Sequence, residues 1–140
     1  MNQNRQTITI QNRTTDCKKL FEFLLDYVDS NDISDDIFND LKLIIEETFV
    51  NIASYAHEEN ETQTVTVELS SNTETISITF SDTGIAFNPI TDCNKDIEKI
   101  DPCEGGMGIH IIKSLSDHLE YKRIKQRNVF TVTKHYTKQQ

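Results

Sequence analysis

The chain has no tryptophan, only two prolines, four glycines and three cysteines in 140 residues. Cys17, Cys93 and Cys103 are an odd set without CxxC spacing. That argues against a disulfide framework or structural zinc site and for free thiols. No internal repeat and no low-complexity segment is present. No apolar run approaches the roughly 20 residues a membrane helix needs. The opening MNQNRQTITI lacks the apolar core of a signal peptide. The expectation is a cytoplasmic protein with no membrane partner. Acidic residues are missing from the last twenty positions, which carry 6 Lys/Arg, whereas residues 1–120 hold all 23 acidic groups against 8 basic ones. A body this acidic repels a phosphate backbone, so nucleic acid is excluded as a direct partner. The basic tail reads as a solvated strand face or as a docking surface for an acidic partner.

What is present suits a globular chain: 36% hydrophobic residues, 26% charged residues and a mean hydropathy of −0.52. The length fits a single domain over 1–140. TITIQNR (7–13) alternates and predicts a strand. Thr14-Thr15-Asp16 offers caps for a helix in which Leu20, Phe21, Leu24, Leu25 and Val28 recur at helical spacing. A second helix is predicted from about 33 to 56. Ile37, Leu41, Ile44, Ile45, Thr48, Ile52 and Tyr55 share one arc, and Leu43 and Val50 lie opposite. An apolar circumference that wide predicts a central helix. Asp40, Glu47, Asn51 and Ser54 form a polar stripe along it. TVTVELS (64–70) and TISITFS (75–81) predict a hairpin. Residues 83–104 lack periodicity and read as a lid or binding loop. IHIIKSLSDHL (109–119) predicts a helix, and a last hairpin turns around 126–128. The order βααββαββ predicts an α+β two-layer sandwich, with a mixed, mainly antiparallel sheet and helices on one face.

Three stretches can carry chemistry. Glu47 and Asn51 are i and i+4 on one helix face. A buried carboxylate there needs a partner, a hydrogen bond or a metal, although on spacing alone a helix-surface pair or a satisfied core pair is the stronger reading. In SDTGIAFNP (81–89), Asp82 ends a strand. It reads either as an ordinary Asp-x-Gly turn or as a carboxylate held to accept a hydrogen bond from a ligand amine. In EGGMG (104–108), glycines open a helix whose free N–H groups suit phosphate. No Walker A or GxGxxG pattern is present, so alone this cluster is equally a turn.

Together, in order and spacing, the three resemble the motifs of the GHKL ATPase superfamily. EETFVN (46–51) resembles its N box, DTGIAF (82–87) its DxGxGF box and GGMGI (105–109) its GGxGL box. The tone of NIASYAH and GGMGIHIIKSLSD resembles the anti-sigma-factor serine/threonine kinases. The resemblance implies a Bergerat-type sandwich that binds ATP and Mg2+, with a lid at about 83–104 closing over the γ-phosphate. It implies Glu47 as general base and Asn51 as the Mg2+ ligand. It implies adenine recognition by Asp82, with Gly84 letting the base approach. Phe87, Gly105, Gly106, Met107, Gly108 and Ile109 complete the nucleotide site by motif. It implies a sigma factor and a STAS-type anti-sigma antagonist as partners, and a homodimer. A nucleotide-dependent binding switch without phosphotransfer is the alternative. Ala86 stands where the family usually has a second glycine, so a different lid hinge is expected. The segment before residue 46 holds no histidine, which argues against a phosphoacceptor helix of the histidine-kinase kind. Glu46 is expected to point to solvent, Lys113 to lie on the surface, His110 to pack, and His57 to end its helix.

Overall fold

The computed structural model describes residues 4–53, 63–92 and 106–136. Five strands form one sheet: β1 (Asn4–Gln11), β2 (Thr64–Ser71), β3 (Thr75–Asp82), β4 (His118–Ile124) and β5 (Arg127–His135), in the order β1-β2-β3-β5-β4. Every pairing among the described residues is antiparallel, which replaces the mixed sheet expected from the sequence. Among the described residues the helices are α1 (Cys17–Ser30), α2 (Asp35–Asn51), the four-residue α3 (Pro89–Asp92) and α4 (Gly106–Leu115), with one 3-10 turn at Thr14–Asp16. The architecture is α+β, an open sheet with a helical layer, as the resemblance to the GHKL fold implies.

Alternation in the strands decides which face the helices cover. Val65, Val67, Leu69, Ile76, Ile78, Phe80, Phe130 and Val132 all point to one side and are buried. They meet Leu20, Leu24 and Tyr27 of α1, Leu41, Ile44, Ile45 and Phe49 of α2, and Ile109 and Ile112 of α4 in one core. At about 25 cal/mol per Å2, burying each of these large side chains stabilises the fold by roughly 1.5–3 kcal/mol before entropy is counted. The opposite face is lined by hydroxyls. Thr9–Thr66, Ser77–Thr133 and Thr79–Thr131 pair across strands at 3.2 Å each. Such cross-strand pairs favour a sheet that keeps one face polar.

Several boundaries differ from the sequence expectation. The first strand runs Asn4–Gln11 because β2 supplies pairing partners as far as Ser71. The second helix starts at Asp35, since Ser34 is extended and its hydroxyl faces the Ile37 N–H at 3.5 Å. Asp35 and Asp36 in its first turn complement the helix dipole. It is regular to Asn51 and widens into a π-type turn at Ile52 and Ala53. Its expected end at 54–56 and His57 lie outside the described residues. Leu43 is 42% exposed, so α2 covers the sheet with one face and is not a central helix. The helix predicted to 119 ends at Leu115, and Leu119 instead pairs with Val132 in the sheet.

The last hairpin turns at Lys125-Gln126, not at 126–128. Both residues take left-handed φ, 49° and 67°. A two-residue turn of that hand usually announces itself as Asn-Gly. Lys-Gln carries no such signal, so sequence alone does not locate the turn. The longer β2–β3 turn is legible in the sequence. Asn72 Oδ1 accepts from the Glu74 and Thr75 N–H groups at 2.7 and 2.9 Å, as turn asparagines do.

Candidate functional site

Near its C-terminal end, α2 presents Glu47 and Asn51 one turn apart. Glu46 is exposed, as its 100° offset predicts, and Glu47 is half-buried. Loss of water raises the Glu47 pKa above the ordinary value, and the neighbouring Glu46 charge adds to the rise. Asn51 is fully buried, and among the described residues neither its Oδ1 nor its Nδ2 has a hydrogen-bond partner. Thr48 Oγ1, in the same segment of α2, is likewise buried without a partner among the described residues. Unsatisfied buried amides are rare, each costing about 1–3 kcal/mol, and call for an explanation. Of the other two members of the stripe, Asp40 pairs with Lys134 at 3.2 Å and Ser54 lies outside the described residues.

The third motif meets the first directly. Gly106 opens α4, and α4 packs against α2. A Cβ placed on Gly108 would lie 2.6 Å from Glu47 Oε2 and 3.2 Å from its Cδ. Glycine at 108 is therefore what lets the carboxylate lie against the helix. Beside the phosphate contact that the motif implies, Gly108 thus has Glu47 as a second neighbour. Ile109 is fully buried in the core. His110 is exposed, which corrects the expectation that it packs, because Ile109 and Ile112 take the inward face of α4. Lys113 is exposed as expected. Gly105 and residues 93–104, with Cys93, Cys103 and most of the expected lid, lie outside the described residues. Cys17 is a free thiol, pushed up to about 11 by burial first and by Glu46 second.

The second motif closes β3. Asp82 follows Ile76, Ile78 and Phe80 on the helix-facing side of the sheet and is 1% exposed. Its Oδ1 accepts from the Gly84 N–H at 2.8 Å and from Asn128 Nδ2 at 3.0 Å. The sequence suggested Asp82 but not Asn128, which has no motif signal. Only the register, with Asp82 opposite Asn128, brings the two together. Phe87 is buried at the end of this loop. No glycine among the described residues adopts positive φ, and Ala86 does not either. The alanine departure thus imposes no strain on the loop, and the feared change of hinge has no backbone cause at that position.

The opposite end of α2 offers a cavity of about 200 Å3 lined by Ile33, Ser34, Asp35 and Asp36. Its two carboxylates make it a poor seat for a polyphosphate.

A layered α+β fold with a buried amide, a carboxylate against a glycine-opened helix, and an acid at a strand end defines a class of nucleotide-binding protein. The chain belongs to the histidine kinase-like ATPase domain family, whose model matches residues 10–134. It is accordingly an ATP-binding, kinase-like ATPase domain. No curated protein matches the chain.

Proposed function

We propose that this protein is an ATP-dependent serine/threonine protein kinase of the anti-sigma type, which phosphorylates an anti-sigma antagonist and sequesters a sigma factor. The observation that carries the proposal is the pairing of Glu47, a carboxylate with a raised pKa, with Asn51, a buried amide without partners among the described residues.

Asp82 would accept a hydrogen bond from the adenine amino group, with Gly84 and Phe87 bounding the base. The N–H groups at the start of α4, from Gly106, Met107 and Gly108, would face the phosphates with the positive end of the helix dipole. Gly105 belongs to the same motif. Asn51 Oδ1 fits a hard cation such as Mg2+, which takes oxygen ligands and keeps several waters. No cluster of three or more His, Cys, Asp or Glu could hold a metal among the described residues. A cation at Asn51 would therefore draw its other ligands from phosphate oxygens and water. When bound, it supplies charge neutralisation on the phosphates.

Glu47 would take the proton from a serine or threonine hydroxyl. As that oxygen bonds to the γ-phosphorus, the bond from the γ-phosphorus to the β,γ-bridging oxygen breaks and ADP leaves. A base with a raised pKa holds a proton better at neutral pH than an ordinary carboxylate does. A switch that binds ATP without transfer is the second reading; Ala86 has no positive φ, so backbone strain there lends it no support. Incubation with Mg-ATP and the cognate antagonist is expected to yield phosphoserine or phosphothreonine on the antagonist. Tight ATP binding with no transfer would leave the switch reading instead.

A further inference from the structure

The loop after β3 is held from a distant part of the sequence. Asn128, at the start of β5, is 4% exposed and stands opposite Asp82. Its Nδ2 donates to Asp82 Oδ1 at 3.0 Å and to the Ile85 carbonyl at 2.7 Å. Its Oδ1 accepts from the Phe87 N–H at 3.2 Å, from Arg123 at 3.1 Å and from the Tyr121 hydroxyl. Arg123 also donates to the Gly84 carbonyl at 2.8 Å. Two acceptors meet the amide nitrogen, and the Phe87 N–H and the guanidinium meet the amide oxygen as donors. A flipped amide would oppose like groups at both ends, so the network itself fixes its orientation.

We propose that Asn128 is a positioning residue for base recognition. It acts through Asp82 and the backbone of residues 84–87, and Arg123 supports it from β4. Two donors on one carboxylate oxygen, the Gly84 N–H and Asn128 Nδ2, fix the rotation of the Asp82 carboxyl plane. A carboxylate held in place before binding gives up less freedom when it accepts the amine of a base. The inference rests on the reading of Asp82 as the acceptor of the adenine amino group. It adds a residue some 46 positions away, contributed by the hairpin that the sequence marked only as basic.

The test compares ATP with purine riboside triphosphate, which lacks the 6-amino group, by titration against the wild-type chain, Asn128→Ala and the near-isosteric Asn128→Asp. Circular dichroism reports whether each variant is folded. If Asn128→Ala does not fold, Asn128→Asp carries the test, because it keeps the side-chain shape and loses the donor to Asp82. The wild type is expected to prefer ATP. The variants should bind ATP about 10- to 100-fold more weakly, the scale of one lost hydrogen bond to a charged group. Their affinity for purine riboside triphosphate should stay within about twofold of the wild type. Unchanged ATP affinity, or equal loss for both nucleotides, overturns the positioning role. A wild type that does not distinguish the two nucleotides overturns the Asp82 reading, and the role of Asn128 falls with it.

Discussion

Glu47 is where pH, packing and proposed chemistry meet. Its side chain lies between water and core, so ionisation is opposed by burial and by Glu46. A carboxylate with a raised folded pKa favours the fold most below the ordinary Glu range, and that contribution is lost as pH rises through the raised value. Glu47→Gln is therefore expected to melt no lower than the wild type at pH 7, with any gain vanishing in acid. Under the kinase reading the same variant keeps ATP binding and loses about 10²- to 10⁴-fold in turnover. Thermal melts across pH and single-turnover transfer check the two halves separately. Glu46→Gln removes one of the two causes of the shift. It should move the acid limb of the rate profile to lower pH and leave its plateau intact. Gly108→Ala sets a Cβ 2.6 Å from Glu47 Oε2, the movable end of a side chain. Within a helix, alanine is favoured over glycine by roughly 0.5–1 kcal/mol. The variant is expected to be about as stable as the wild type yet slower in transfer; an unchanged rate would show that the carboxylate position is immaterial. These residues were legible in the sequence because i, i+4 spacing and glycine clusters are local patterns. Asn128 was not, since its importance arises from a register spanning 46 residues.

At the scale of elements, helix and strand identity followed from periodicity, and the errors lie at ends and turns. Leu119 fitted the helical period of α4, but β5 offered a ladder of hydrogen bonds and took it into the sheet. The Lys125-Gln126 turn has the backbone of a two-residue hairpin without its usual residues. Replacement of Gln126 by glycine relieves a left-handed cost of roughly 1–2 kcal/mol and loosens the unfolded chain by about 0.4–1 kcal/mol, so a net gain of about 0.5–1 kcal/mol is expected in urea unfolding. Lys134 ties three elements: from β5 it donates to the Leu115 carbonyl of α4 at 2.8 Å and pairs with Asp40 of α2 at 3.2 Å. Its side chain is 14% exposed and that of Asp40 34%, so the pair is partly screened. Lys134→Met is expected to cost about 1–2 kcal/mol in the same assay. This lysine belongs to the basic tail, whose charge alone suggests a solvated strand face or a docking surface for an acidic partner, not a tie within the fold.

For the whole molecule, the α+β class was legible because strands and helices were recognisable singly and their order admits few layered arrangements. The strand order β1-β2-β3-β5-β4 was not, since pairing between β3 and β5 skips β4. The described helices contain no segment long and apolar enough to cross a membrane. The central claim is that one site, built from Asn51, Asp82 and the start of α4, holds Mg-ATP. The most direct measurement is the thermal midpoint of the wild type and of Asp82→Asn with and without Mg-ATP. At 100 times its dissociation constant a ligand stabilises by about 2.7 kcal/mol, which amounts to several degrees for a chain of this size. The account predicts that rise in the wild type and its loss in Asp82→Asn. No shift in the wild type, or an equal shift in both, would contradict it.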